Sequence, residues 1–124
     1  MFDFKKLNVY SKAKSFCLDS KLILSSGNAD KVTCDQFRRA SFSIMLNIAE
    51  GSSRFTKRDK RNFLIIARGS AFECDAILEY LFESGSISKE LFQKYEDILE
   101  EISRMLFGMI KKLDESRSDL SHLK

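Results

Sequence analysis

The sequence predicts an all-α protein, an antiparallel up-down-up-down four-helix bundle that assembles as a homo-oligomer. Three observations lead there. Apolar residues recur at three- and four-residue spacing through four long segments. Proline is absent and only five glycines occur, so little interrupts a long helix. The connections between the segments are short and polar, which favours antiparallel neighbours.

The first helix is expected from about Phe4 or Asn8 to Ser26, with Tyr10, Ala13, Cys17 and Leu24 on one stripe and Val9, Phe16 and Ile23 beside it. Gly27-Asn28 supplies a C-terminal stop, and Asn28 to Val32 reads as a loop. Thr33-Cys34-Asp35-Gln36 has capping-box spacing and opens a second helix running to about Glu50, with Gly51 as its stop. Ser52 to Thr56 forms the next connection. Thr56-Lys57-Arg58-Asp59 repeats the capping pattern and opens the longest helix, to about Glu83, with Ser84-Gly85 behind it. Ser86 or Ser88 starts the fourth, whose Leu91, Tyr95, Ile98, Ile102, Met105, Met109 and Leu113 give the narrow seam of a bundle helix. The bundle domain is thus residues 1–114, and the polar tail 115–124 is expected to fray.

Two helices carry more apolar surface than one bundle can cover. The third has a main stripe of Phe63, Ala67, Ser70, Cys74, Ile77 and Leu81, and a second of Ile65, Gly69, Phe72, Ala76 and Tyr80. The second helix sets Phe42, Leu46 and Ala49 apart from Phe37, Ala40, Ile44 and Ile48. A helix apolar most of the way round must be covered all round, so self-association is expected to bury the second stripes.

Composition describes one globular domain, 44% hydrophobic and 31% charged. No apolar run approaches the roughly 20 residues that span a bilayer. The N-terminus, MFDFKKLNVYSKAKSF, lacks the regions of a secretory signal. Cys17, Cys34 and Cys74 are odd in number and widely spaced, and read as buried reduced thiols of a cytoplasmic protein.

Enzyme chemistry finds little support. The only histidine, His122, lies in the polar tail, so no Ser-His-Asp or Cys-His unit has a base. Glu-x-x-His pairs of the di-iron type are missing, and neither GNADKVT nor GSSRFTK has the glycine-lysine pair of a phosphate loop. No cofactor, metal, small-molecule substrate or membrane partner is implied. A metal-dependent nuclease would have to use Glu50 and Glu73. The carboxylates from Glu96 to Glu101 read as a solvated, salt-bridged face.

Asn47, Glu50, Arg68, Ser70 and Glu73 are polar residues set within the most apolar segments. Small residues around Gly69-Ser70-Ala71 let another helix approach, and an arginine inserted there needs a carboxylate, which Glu50 or Glu73 can supply. These five are expected to form a structural polar network fixing helix register or an oligomer contact.

Charge is concentrated elsewhere. From Arg38 to Arg68 eight cations face two anions, +6, while the remainder carries 13 basic and 16 acidic residues, −3. Such asymmetry points to a polyanionic partner. Arg54, Lys57, Arg58, Lys60 and Arg61 crowd a connection and the first turns of a helix, where positive side chains oppose the macrodipole. A polyanion relieves that cost, backbone N–H groups add phosphate affinity, and Phe55 can stack on a base. Arg38 and Arg39 extend the set as a second basic pair. The plain alternative is an ordinary solvated charge run.

The blocks Arg38-Arg39-Ala40-Ser41, Ser43-Ile44, Asn47-Ile48-Ala49-Glu50-Gly51, Arg54, Phe63-Leu64 and Ala67-Arg68-Gly69-Ser70-Ala71 with Glu73 resemble the "four helix bundle protein" family. It is also called the S23 or 23S rRNA intervening-sequence protein family and includes accessory proteins of diversity-generating retroelements. The resemblance covers nearly the whole chain, and the NIAEG and ARGSA blocks carry most of its specificity. It implies a bacterial four-helix protomer in a homopentameric ring, with retroelement relatives that bind nucleic acid and a reverse transcriptase through basic surfaces. Asn47, Glu50, Arg68 and Glu73 match the family's polar positions, read as scaffold, and Arg54 matches in position. Met45 stands where many relatives have proline.

Two functions follow as expectations. The first is a non-catalytic, oligomeric RNA- or DNA-binding protein held by phosphate contacts, with weak sequence selectivity. The second is an adaptor for a polymerase-type protein, with no independent nucleic-acid binding.

Overall fold

A computed structural model of the chain describes residues 2–122, with side chains as far as residue 116. Capping chemistry sets most helix ends. A 3-10 turn, Asp3–Lys6, leads into α1, Asn8–Ser25, which has no side-chain cap. Asp30 opens α2, Lys31–Ser52, by accepting the Thr33 N–H at 2.7 Å. The cap expected at Thr33 therefore lies three residues earlier. Asp is as good a cap as Thr, and the Asp30 carbonyl already accepts from Cys34 N–H at 3.0 Å.

Thr56 caps α3, Lys57–Glu83, as expected, accepting the Asp59 N–H at 3.1 Å. Gly85 ends it with a φ of 82°, while Ser86 N–H bonds the Leu81 carbonyl at 2.8 Å and Gly85 N–H the Phe82 carbonyl at 3.0 Å. That is the left-handed stop glycine adopts without strain. Ser88, not Ser86, caps α4, Lys89–His122, by accepting the Leu91 N–H at 3.1 Å. Helical backbone continues through residues 115–122, where fraying was expected. The side chains from 117 onward, His122 included, and residues 123–124 lie outside the described residues.

Sequential helices pack side by side, and α1 also meets α4. Among the described residues the backbones of α1 and α3, and of α2 and α4, do not come within 8 Å (Cα to Cα), the square arrangement of an up-down-up-down bundle. No described helix is long and apolar enough to cross a membrane.

Phe16 meets both Phe37 and Tyr95 edge-to-face in the core, with centroids 5.9 and 6.0 Å apart. Ile23, Ile44, Ile48, Leu78 and Ile102 are fully buried in the same core. The buried stripe of α4 is Tyr95, Leu99, Ile102, Leu106 and Ile110. The expected seam residues Leu91, Ile98, Met105, Met109 and Leu113 pack only half-buried beside it. A straight helix advances 3.6 residues per turn, so its buried line drifts off a strict 3.5-residue seam.

The second stripes are uncovered in the protomer. Phe42 and Leu46 on α2, and Ile65, Phe72 and Tyr80 on α3, all lie exposed.

Candidate nucleic-acid interface

The α2–α3 connection lies at one end of the bundle, beside the C-terminal half of α4. Its cations do not form one free patch. Arg54 Nη2 donates to Glu50 Oε1 at 2.5 Å, one turn back, and the guanidinium lies 4.6 Å from the centre of the Phe63 ring. Arg61 Nε donates to Asp114 Oδ1 at 2.5 Å. Each of these arginines thus already holds a carboxylate.

The remaining three point differently. Arg58 is exposed and has no ion-pair partner among the described residues. Lys57 donates to the Ser116 hydroxyl and Lys60 to the Ser52 carbonyl at 3.3 Å. Both lysines line a pocket at the bundle end, together with Lys112 of α4. Phe55 beside them is 102% exposed, an aromatic ring held in water by the loop. A ring so placed is free to stack on a base.

Arg38 and Arg39 are exposed but stand apart. They lie two turns into α2, not at its start, and roughly 24 Å of helix axis separates Arg38 from Arg54 at 1.5 Å per residue. One strand contacting both groups would have to run along the bundle.

The expected polar network divides into separate parts. Ser43 and Ser70 share a hydroxyl hydrogen bond of 2.7 Å, and Asn47 Nδ2 donates to Ser43 O at 2.8 Å and Ser43 Oγ at 3.0 Å. These three fix the register of α2 against α3. Glu73 instead accepts from Gln36 Nε2 at 2.5 Å, and Glu50 holds Arg54. Arg68 takes no carboxylate: its guanidinium lies 4.7 Å from the Phe72 ring centre and 5.5 Å from that of Phe107. The expectation that Glu50 or Glu73 pairs with Arg68 is overturned. On α3 residue 68 faces the α4 side, while Glu73, like Ser70, faces α2. Two exposed phenylalanine rings replace the carboxylate with cation–π attraction.

The same register separates the two candidate metal carboxylates. From the Ser43–Ser70 level, Glu50 and Glu73 lie in opposite directions, roughly 15 Å apart along the axis. They cannot share one ion. No group of three metal-type ligands occurs among the described residues. Burial pushes the Cys74 and Cys17 thiols up, so neither supplies a thiolate. All three cysteines are free, though Cys17 and Cys34 are only half-buried.

Sequence reasoning missed Lys112, Ser116 and Asp114, which α4 brings to the basic end. The signal was present in Leu113, whose apolar position implied that α4 still packs at that level.

No curated protein matches the chain. Among solved structures it resembles a protein of unknown function from the S23 ribosomal protein family of Bacteroides thetaiotaomicron. The two are 28% identical with a TM-score of 0.78, over 83% of this chain and 95% of that one. A family model for the 23S rRNA-intervening sequence protein matches residues 5–108. With the four-helix architecture and the Asn47–Ser43–Ser70 register in place, the chain belongs to the 23S rRNA-intervening sequence protein family.

Proposed function

We propose that the protein is a non-catalytic, oligomeric nucleic-acid-binding protein that holds RNA or DNA by its phosphates at the α2–α3 end. The observation that carries this reading is the gathering of Lys57, Arg58, Lys60 and Lys112 at that end, beside the exposed Phe55 ring. Arg54 and Arg61 stand next to them and exchange Glu50 and Asp114 for phosphate when a strand arrives. Repetition of this end in an oligomer multiplies weak contacts by avidity.

Fluorescence anisotropy with labelled single-stranded RNA, single-stranded DNA and duplex, titrated across salt, tests it. Binding shared among sequences and falling steeply with salt is expected. Reversal of two contacts in Arg58→Glu/Arg61→Glu should weaken it on the order of tenfold or more. An unchanged affinity removes the assignment.

The exposed apolar side chains Phe42, Leu46, Ile65 and Phe72 favour one second reading, an adaptor whose apolar surface meets another protein. Absence of oligonucleotide binding at low salt would put the adaptor first.

A further inference from the structure

The pocket at the basic end is more than a place where lysines meet. It has a volume of about 560 Å³, inside the range of roughly 300–1,000 Å³ that small-molecule sites occupy. Ile48 and Leu64, both buried, form its floor, and Leu7, Met109 and Leu113 its half-buried walls. Among the described residues Lys57, Lys60 and Lys112 are the charged groups of the lining, with no acidic residue beside them.

Two of those lysines are already positioned. Lys60 is held by the Ser52 carbonyl and Lys57 by the Ser116 hydroxyl, so little side-chain freedom is lost when an anion arrives.

We propose that this pocket binds a single-chain anionic amphiphile, an alkyl tail on the Ile48–Leu64 floor with a phosphate or carboxylate head among Lys57, Lys60 and Lys112. Each half of the ligand answers one half of the site. A bare phosphate would leave the apolar wall wetted, and a neutral alkane would leave three ammonium groups without a counter-charge. A nucleobase fits less well. Bases are recognised by aromatic stacking and by hydrogen bonds along their edges. Among the described residues the lining has no aromatic ring, and the Ser116 hydroxyl is engaged by Lys57.

The site goes beyond the nucleic-acid reading but shares Lys57, Lys60 and Lys112 with it. An amphiphile head and a strand phosphate would compete there, which makes the ligand a negative regulator of nucleic-acid binding.

Isothermal titration of the full chain with decyl phosphate, decanoate, decanol and inorganic phosphate tests the proposal below micelle-forming concentrations. Saturable binding of one decyl phosphate or decanoate per chain is expected. Decanol and inorganic phosphate should each bind at least tenfold more weakly. Leu113→Trp, which fills the pocket without removing charge, should abolish amphiphile binding and leave oligonucleotide affinity within twofold. Lys112→Glu, an exposed change that spares the core, should weaken the amphiphile about tenfold. Arg58→Glu should lower oligonucleotide affinity and leave the amphiphile unchanged. The proposal is overturned by no binding of either amphiphile, by equal binding of decanol or inorganic phosphate, or by amphiphile binding that survives both pocket variants.

Discussion

Arg61 Nε donates to Asp114 Oδ1 at 2.5 Å, tying the second turn of α3 to the C-terminal half of α4. Both side chains are partly exposed, so the pair contributes at most about 1 kcal/mol to stability. Its larger effect is on function, because it neutralises one cation of the basic end. Asp114→Asn should keep the fold and release Arg61 for phosphate. Because no ion pair then has to be given up when phosphate arrives, oligonucleotide affinity at fixed salt is expected to rise by about threefold or more. An unchanged affinity would show that Arg61 takes no part.

Gly27 and Ser86 make the closest approach between the two turns at the opposite end. A methyl group at Gly27 would lie 2.2 Å from the Ser86 carbonyl oxygen, which is backbone and cannot swing aside. Asn28 N–H also donates to Ser86 Oγ at 3.3 Å, so the two turns are docked. Gly27→Ala should cost about 1–3 kcal/mol in urea denaturation, the usual penalty of overpacking. Gly69→Ala, where a methyl meets nothing within 4 Å, should instead gain about 0.5–1 kcal/mol in a helix interior. Equal effects at the two positions would contradict the docking.

Helix number, order and approximate limits were legible in the sequence because they rest on local signals. Thr56, Gly85 and the 3.6-residue apolar repeat act within a turn or two of themselves. What could not be read depends on side-chain rotation about the helix axis and on distant partners. Arg68 and Glu73 are five residues apart, which turns them to different sides of α3, so adjacency in sequence misled. Arg61 was visible as a cation, but Asp114, 53 positions away, was not visible as its counter-charge. Leu99 and Leu106 were missed because a strict seven-residue seam was fitted to a helix that keeps 3.6 residues per turn.

The uncovered stripes give a direct prediction about assembly. Phe42, Leu46, Ile65 and Phe72 place apolar surface in water on α2 and α3. Light scattering should return a mass several times the 14.3 kDa chain at micromolar concentration. Ile65→Glu, at an exposed position, should reduce the mass to that of one chain while circular dichroism stays unchanged. A monomeric parent protein would remove self-association from the account.

Asp75 on α3 and Glu96 on α4 both have carboxyls raised above their ordinary values, and Asp75 Oδ1 is buried without a hydrogen-bond partner among the described residues. Burial is the first cause for each, and the charges of Glu79 and Glu100 add to it at Asp75. Raised folded-state values mean that the folded protein holds protons more tightly than the unfolded chain. The cost is present at neutral pH and is relieved as pH falls through the folded values. Stability should therefore rise on mild acidification, before carboxylates such as Asp30, held low by the Thr33 N–H, begin to protonate. Asp75→Asn should stabilise the protein at pH 7 by no more than about 1 kcal/mol after solvent screening. It should also flatten the rise as pH falls from neutrality towards the ordinary carboxylate range. A parent protein whose stability falls steadily across that interval would reject this account.

The short connections between successive helices keep most packing partners near one another along the chain. Such topologies complete folding in microseconds to milliseconds, whereas subunit encounter takes milliseconds to minutes and depends on concentration. On the self-association proposed above, each new chain is thus finished, with Phe42, Leu46, Ile65 and Phe72 already in place, before it meets a copy of itself. How long that surface stays in water is set by the rate of synthesis, so slow expression, more than heat, is the condition under which stray contacts would compete.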